Sequence, residues 1–224
     1  MIKIENTEVI GWEHAIRGMR NPMNSFDKSD SEWWECDHAD VYYPCANIGP
    51  NDKELMQKLC KAGTDHRKFM RMIVVYADIT APLYWWKEFD TYKVGTVANS
   101  CSTMHKIHEK EFTLEDFSCE HLIDGVVGID ELYNPFKHFC NTVSCLNDCR
   151  IAYLRTKDKK YWWNMIQLLP SSYNQKRTIM LNYEVLANIY KSRRNHKLDE
   201  WVEFCKIIET LPHSEFITGK GVAE

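Results

Sequence analysis

Apolar and polar positions change character three times between residues 73 and 106. The run at 73–76, Ile-Val-Val-Tyr, is apolar and β-branched, and it predicts a buried strand that turns at Ala81-Pro82. Residues 83–92 are rich in aromatic side chains and predict a helix, whereas the small polar residues at 95–103 predict a loop. A buried strand followed by a helix and a loop of hydroxyls and amides is a common way to present polar groups to a ligand. We therefore expect ligand-binding residues here.

The N-terminal part of the chain predicts one strand, one short helix and a long irregular segment. Residues 2–10 alternate between apolar and polar and predict an edge strand or a hairpin. Residues 13–20 predict a short helix that Asn21-Pro22 ends. The segment 27–50 combines Asp, Ser and Pro with two aromatic pairs. We expect an irregular stretch there that is a lid, a subunit contact or a ligand platform.

Helices dominate the remainder of the chain. Asn51 and Glu54 resemble a capping box for a helix that ends at Ala62-Gly63. Strands that do not alternate regularly with helices favour a helix-rich α+β fold with a small mixed or antiparallel sheet. The length allows one domain or two small ones, and a single domain over residues 1–224 is expected. The tail after Phe216 is expected to fray. Thr113 and Asp116 resemble a cap for a short helix through His121. Further helices are predicted at 130–154, 161–169, 173–193 and 198–211.

Composition and charge exclude several classes of protein. Hydrophobic residues make up 44% and charged residues 27% of the chain, which is typical of a globular protein rather than a disordered or membrane-spanning one. No apolar run approaches the ~20 residues that cross a bilayer, and the first residues lack the apolar block of a signal peptide. A net charge of -4 argues against nucleic acid as the main partner but leaves room for a local basic pocket. We expect a cytoplasmic protein that does not bind membranes.

Nine cysteines raise the question of disulfides or a metal site. There is no CxxC pair, and the number is odd, so we expect reduced thiols. The closest group is His138, Cys140, Cys145 and Cys149, which is either a zinc site or a set of small core residues. The spacing favours core residues, and no metal is predicted.

Two polar residues fall on the apolar face of the helix predicted at 173–193. At 100° per residue, Asn182 lies at the centre of the apolar stripe and Arg193 within ~20° of it. An amide and a guanidinium on a buried face need hydrogen-bond partners, because unpaired groups there are costly. Asn182 therefore bonds either a loop or a ligand. Arg193 either complements the helix dipole or binds a small anion.

These residues are also arranged as in a known family. A strand, Ala81-Pro82, an aromatic helix and a hydroxyl-rich loop are followed by Leu169-Pro170 and a helix with Asn182, Asn188 and Arg193. This order resembles that of the flavin-dependent thymidylate synthases. The resemblance covers most of residues 10–211.

The signature motif of that family, RHRxxSxNxxSxRY, is altered in this chain. Aligned from Ala81-Pro82, RHR falls on Thr91-Tyr92-Lys93 and the first serine falls on Thr96. With one extra residue in the loop, NxxS falls on Asn99-Ser100-Cys101-Ser102, and the final RY falls on Met104-His105. The long insertion at 27–50 is not typical of the family.

The resemblance implies a set of ligand-binding residues. Asn24-Ser25-Phe26-Asp27 is similar to the family's Ser-Phe-Asp element, which reaches the flavin phosphate, and this gives Ser25 that task. No residue is assigned as catalytic. The resemblance implies flavin contacts from Ser25, Lys93, Thr96 and Asn188, and substrate contacts from Asn182, Arg193, Ser102 and Asn99.

Several departures bear on activity. The family's three signature arginines become Thr91, Lys93 and Met104, and each lost charge-assisted contact is worth ~1.5–3 kcal/mol. Lys93 keeps a positive charge but not the guanidinium fork. Glu184 replaces the arginine of the family's Asn-x-Arg. The Glu184 carboxylate would repel a phosphate unless its side chain turns away.

Two functional hypotheses follow from the resemblance. The first is an FAD-dependent methylase of a pyrimidine nucleotide (dUMP to dTMP type), with NADPH and methylenetetrahydrofolate as co-substrates and sites between the subunits of a homotetramer. Such enzymes activate uracil electrostatically, without a cysteine nucleophile. The second is a catalytically inactive protein of the same fold that binds a nucleotide or acts as a regulatory or interaction protein.

Other residues near the motif have two interpretations each. Trp85-Trp86 either stacks on a flavin or base, or belongs to the core or a subunit interface, and the second interpretation is favoured. His66 contacts a ligand or bonds to the backbone of its loop, and the second is favoured. Glu88 and Asp90 are most simply explained as a solvated helix face.

Overall fold

The computed structural model describes residues 2–35, 44–128 and 133–220. Within these residues the chain is helix-rich with a small four-stranded antiparallel sheet, so the predicted α+β class is confirmed. The strands are β1 (Lys3–Ile10), β2 (Glu32–Glu35), β3 (Pro44–Asn47), β4 (Val74–Pro82), β5 (Val97–Ser100) and β6 (Asn174–Asn182). The helices are α1 (Trp12–Arg20), α2 (Pro50–Lys61), α3 (Leu83–Phe89), α4 (Pro135–Thr156), α5 (Lys159–Leu168), α6 (Tyr183–Arg193), α7 (Asp199–Glu209) and α8 (Glu215–Thr218).

The strands form two sheets in the described part of the chain. The larger sheet has the order β1-β4-β6-β5. The smaller is an antiparallel hairpin in which Glu32 of β2 pairs with Asn47 of β3. The segment 27–50, predicted to be irregular, therefore contains a hairpin. Its residues 36–43 lie outside the described residues, as do 129–132 at the start of the helix predicted at 130–154.

Backbone contacts divide the chain into two compact units. The first unit consists mainly of Ile79–Thr91 and Asn99–Arg177. The second consists of Ile4–Asp78, Tyr92–Ala98 and Thr178–Glu224. The single domain expected from the sequence stays a prediction.

The first unit is built around the helix pair α4 and α5. Phe117, Phe139, Leu146 and Met165 form the centre of its core, and all are buried. The pair Trp85-Trp86 on α3 is fully buried, and the indole nitrogen of Trp86 donates to the carbonyl oxygen of Gln175 at 2.9 Å. The core interpretation of this tryptophan pair is therefore confirmed.

The second unit packs α1, α7 and α8 around α6 and the turn that precedes β4. Tyr183, Ile189 and Trp201 are fully buried there. The ring of Trp12 on α1 meets Tyr183 edge to face, with centroids 5.3 Å apart. Helix α6 thus lies at the centre of this unit, and three of the eight predicted ligand residues lie on it or at its start: Asn182, Asn188 and Arg193.

The helix predicted at 173–193 is wrong in its first half. Residues Asn174–Asn182 form β6, and α6 begins only at Tyr183. The burial pattern explains the difference, because buried and more exposed residues alternate along this segment. Ile179 and Leu181 are buried, whereas Thr178 is exposed. A period of two is typical of a strand. The helical wheel that placed Asn182 on an apolar stripe therefore does not apply.

Smaller differences concern helix and loop ends. The predicted loop at 95–103 contains β5. Helix α2 starts at Pro50 with Gly49 as its N-cap instead of the Asn51 capping box, because proline suits the first helical turn. The capping box of Thr113 and Asp116 is confirmed, but it starts only a 3₁₀ turn. The expected fraying after Phe216 is contradicted as far as Thr218, since α8 continues to that residue and buries Ile217.

Other predictions are confirmed with small shifts of boundary. These are the strand at 2–10, the helix at 13–20, the strand that starts near 73 and the helix at 198–211. The aromatic helix at 83–92 is confirmed but ends at Phe89. Among the described residues, no helix combines the length and apolar character that a membrane span requires.

Candidate functional site

Asn182 lies at the junction of β6 and α6, where it caps the helix. Its side-chain oxygen accepts a hydrogen bond from the backbone nitrogen of Val185 at 3.0 Å. This contact satisfies one of the four amide groups that a helix start leaves open. Asparagine is among the residues best suited to this position. The buried-face argument for Asn182 therefore fails, because its amide oxygen has a backbone partner.

The loop before β5 approaches Asn182 closely. Gly95 has a φ of +77°, and a β-carbon there would lie 2.7 Å from Nδ2 of Asn182. The next residue, Thr96, holds its side-chain oxygen out of solvent, and this oxygen has no hydrogen-bond partner among the described residues. The start of α6 thus brings Asn182 close to the loop that carries Thr96, two residues for which ligand contacts were predicted.

Arg193 lies at the other end of α6 and also has partners within the chain. Its Nε donates to the hydroxyl of Tyr92 at 3.0 Å, and Nη1 lies 3.0 Å from Nε2 of His196. The guanidinium lies 4.9 Å from the ring centre of Trp201, a cation–π distance. These contacts join Tyr92, the end of α6 and α7. The alternative in which only a ligand satisfies Asn182 and Arg193 is therefore not supported by their contacts.

Glu184 is turned away from solvent and paired with Arg67. The glutamate is 5% exposed. Nε of Arg67 lies 2.8 Å from its Oε2, and Nη2 of Arg67 donates to its Oε1 at 3.1 Å. A two-contact ion pair of this kind neutralises the carboxylate inside the second unit. The repulsion toward phosphate that Glu184 would otherwise exert is thereby removed.

A cleft of about 460 Å³ lies beside this ion pair. It is formed by the end of α2, the turn after it, α6 and α8. Asn188, a predicted flavin contact, is exposed on its wall. The charged residues that line the cleft are four cations and one carboxylate: Lys61, Arg67, Lys191, Arg194 and Glu215. The positive charge and the volume are typical of a site for an anionic small molecule.

Cys60 also lines the cleft, and burial holds its thiol in the neutral form. Burial raises the pKa of Cys60 to about 12, an effect that Arg67 partly opposes. The thiol is therefore protonated at neutral pH, whereas the thiolate is the nucleophilic form. The cleft contains no activated cysteine within the described residues.

Ser25 is held by a buried charged network in the second unit. Nη1 of Arg20 donates to the carbonyl oxygen of Ser25 at 3.1 Å and lies 3.5 Å from its hydroxyl. Nε of Arg20 contacts Oδ1 of Asp52 at 2.6 Å, with both side chains buried. This network fixes the position of Ser25, which is itself 8% exposed.

The remaining predicted residues are exposed. Lys93 lies in the second unit, and Asn99 and Ser102 lie in the first. The hydroxyl oxygen of Ser102 accepts a hydrogen bond from the backbone nitrogen of His105 at 3.0 Å. The second unit thus contains six of the eight predicted ligand residues: Ser25, Lys93, Thr96, Asn182, Asn188 and Arg193.

Sequence reasoning missed the cations of the cleft. Lys191 and Arg194 follow Asn188 at a spacing of three residues, which puts all three on one helix face. That spacing was a usable signal. Arg67 gave no signal, because its pairing with Glu184 spans 117 residues. In the described residues no group of His, Cys, Asp or Glu side chains is arranged to hold a metal. In the group of His138, Cys140, Cys145 and Cys149, the core interpretation holds for the buried Cys149 but is wrong for His138 and Cys145, which are exposed.

Comparisons with known proteins identify the fold. No protein-family model and no curated protein matches the sequence. Among solved structures, thymidylate synthase X (ThyX) from Helicobacter pylori with FAD and dUMP matches with a TM-score of 0.67 at 16% identity, over 99% of both chains. The UMP/dUMP methylase PolB from Streptomyces cacaoi matches when bound to 5-Br UMP, with a TM-score of 0.62 at 12% identity, over 100% of this chain and 96% of that one. This chain therefore has a ThyX-like fold.

Proposed function

We propose that this protein is a flavin-dependent methylase of a pyrimidine nucleotide, of the type that converts dUMP to dTMP. The observation that carries the proposal is the match of fold over 99% of both chains to an enzyme whose structure holds FAD and dUMP. The match to a UMP/dUMP methylase supports the same substrate class. NADPH and methylenetetrahydrofolate are the proposed co-substrates, and a cytoplasmic homotetramer is the proposed assembly.

Two side chains of the second unit fit a bound flavin. The hydroxyl of Thr96 is buried without a partner among the described residues, and a ligand atom would satisfy it. The amide of Asn188 is exposed on the cleft wall and makes no hydrogen bond with the described residues. FAD, when bound, would supply the hydride-transfer chemistry that no protein side chain provides. Thr96 and Asn188 would orient it through hydrogen bonds.

Other residues of the proposal act through position and charge. Lys93 would place a cation near the anionic part of the flavin, and Ser25 would meet a flavin phosphate from the position that Arg20 fixes. The resemblance assigns Asn182, Arg193, Asn99 and Ser102 to the nucleotide. Asn182 and Arg193 already hold protein groups, so they would act from fixed positions. Such fixed donors suit electrostatic polarisation of a uracil ring.

The first experiment measures flavin binding. The purified protein is expected to show flavin absorbance, or to quench flavin fluorescence when titrated with FAD. Thr96→Val should weaken FAD binding by about tenfold, because one buried hydrogen bond is lost. Thr103→Val, at a half-buried threonine of the first unit, is the control and should bind FAD normally. A colourless protein that FAD titration leaves unchanged would contradict the proposal.

The second experiment measures turnover. Release of tritium from 5-labelled dUMP in the presence of NADPH and methylenetetrahydrofolate is the expected result. A lack of release despite FAD and dUMP binding would favour the second candidate, a nucleotide-binding protein without catalysis. That candidate is supported by Thr91, Lys93 and Met104, which stand where the signature arginines of the resembled family fall.

A further inference from the structure

We infer that the cleft between α2, α6 and α8 binds the phosphate group of a nucleotide, through Arg67, Lys191 and Arg194. The inference deepens the proposed function and rests on it for the choice of a nucleotide as ligand. None of these three cations was among the ligand residues expected from the sequence. The phosphate comes either from the pyrimidine nucleotide or from the flavin, and both sources present the same chemistry to the cleft.

Arg67 is fixed so that part of its guanidinium stays available. Nε and Nη2 contact the buried carboxylate of Glu184. Nη1 has no partner among the described residues, and the side chain is 21% exposed and lines the cleft. An arginine whose orientation is set by a buried carboxylate loses little further entropy when it binds an anion. Glu184 therefore acts as a positioning residue for Arg67.

Lys191 and Arg194 add two cations from α6. Both are exposed on the cleft wall, and neither forms an ion pair with a carboxylate of the described residues. Arg194 lies over the ring of Tyr190, with 5.9 Å between guanidinium carbon and ring centre. This contact holds the guanidinium close to the helix. Two cations that are three residues apart on a helix and lack a carboxylate partner among the described residues can contact the same phosphate.

The carboxylates near the cleft do not oppose an anion. Glu184 is paired with Arg67. The cleft residue Glu215 contacts Lys53 at 2.8 Å and His213 at 3.6 Å. Its negative charge is therefore matched by the Lys53 ammonium of the same unit. The cleft keeps a positive balance, which favours phosphate over a neutral ligand.

The position of two cations of the cleft at the end of a helix has an alternative explanation. Lys191 and Arg194 lie at the C-terminal end of α6, where cations interact favourably with the helix dipole. The dipole explains their position but not the cleft, nor the third cation from the turn after α2. A cation that serves only the dipole would not contribute to ligand binding. Measuring ligand affinity after its removal therefore distinguishes the two explanations.

The test compares each phosphate-containing ligand with a phosphate-free counterpart. Isothermal titration calorimetry of the full-length protein is carried out with dUMP against deoxyuridine, and with FAD against riboflavin. The variant Lys191→Ala/Arg194→Ala removes the two exposed cations without opening the core. Arg71→Ala/Lys206→Ala removes two exposed cations of the same unit outside the cleft and is the matched control.

The expected result is specific to one phosphate ester. The Lys191→Ala/Arg194→Ala variant should bind either dUMP or FAD about a hundredfold more weakly, at about tenfold for each cation. It should bind the matching phosphate-free compound as the wild type does, and the control variant should bind both normally. The ester that is affected identifies the source of the phosphate.

Two outcomes would overturn the inference. One is unchanged affinity for both phosphate esters in the Lys191→Ala/Arg194→Ala variant. The other is a wild-type protein that binds neither ester. If the variant loses phosphate-dependent binding but the wild type shows no methyl transfer, the inference stands and the proposed function fails. The two claims are therefore tested separately.

Discussion

Gly95 and Asn182 approach each other so closely that a side chain at position 95 would force the Asn182 amide to shift at the start of α6. A β-carbon on Gly95 would lie 2.7 Å from Nδ2 of Asn182, and the backbone there has a φ of +77°. The same asparagine caps α6 through Val185. This contact thus couples the position of the loop that carries Thr96 to the start of α6.

Gly95→Ala is expected to destabilise the protein by about 2 to 4 kcal/mol. A left-handed backbone costs an alanine roughly 1 kcal/mol, and the clash with Asn182 adds to it by disturbing the helix cap. Urea denaturation measures the change. Gly63→Ala is the matched control, since Gly63 has a φ of +97° with nothing within 4 Å of an added β-carbon. Equal losses in both variants would show that the contact with Asn182 has no energetic effect.

The pair of Arg67 and Glu184 predicts a second change in stability. Arg67→Met leaves the carboxylate of Glu184 buried without its partner, and such removals cost about 3 to 5 kcal/mol. The double variant Arg67→Met/Glu184→Gln removes the stranded charge and should recover most of the loss. Thermal or urea unfolding measures both. If the single variant were as stable as the double variant, Glu184 would not depend on Arg67.

Variants at Tyr92 and Arg193 distinguish a ligand-binding role of Arg193 from a structural one. Tyr92→Phe removes the hydrogen bond to Nε of Arg193 but keeps the guanidinium. We expect it to cost about 1 kcal/mol of stability and to change dUMP affinity by less than about twofold. Arg193→Ala should weaken dUMP binding by about tenfold, as the proposed substrate contact requires. Equal dUMP affinity in both variants and the wild type would restrict Arg193 to joining α6 and α7.

The sequence predicted the fold class and most helices because these follow from local periodicity. The stripe that predicted α7 is local, and Trp201 and Ile208 are buried as expected. The failure at β6 has a physical cause. Its apolar residues suit both a strand and a helix by composition, and pairing with neighbouring strands decided the outcome. That pairing cannot be read from the segment itself.

The candidate site was less predictable than the fold. The residues on α6 were found from their spacing and from the family resemblance. The cleft was not, because it needs Arg67 and α8 to meet α6 across long separations in sequence. Glu184 shows the same limit. Its charge was visible in the sequence, but its neutralisation by Arg67 depends on the tertiary fold.

The carboxyl of Asp52 predicts a loss of stability in acid. Burial alone would raise the pKa of Asp52, but hydrogen bonds from Ser31, Ser29 and Arg20 outweigh burial and hold it below its ordinary value of 3.8. A lowered pKa in the folded state stabilises the protein above pH 3.8, and this contribution is lost as the pH falls through the folded-state pKa. Asp52→Asn should therefore be less stable than the wild type at neutral pH, and the gap should narrow below the ordinary value. Urea denaturation from about pH 7 to about pH 3 measures both curves, with the exposed Asp65→Asn as control. A constant gap across this range would show that Asp52 does not titrate with unfolding.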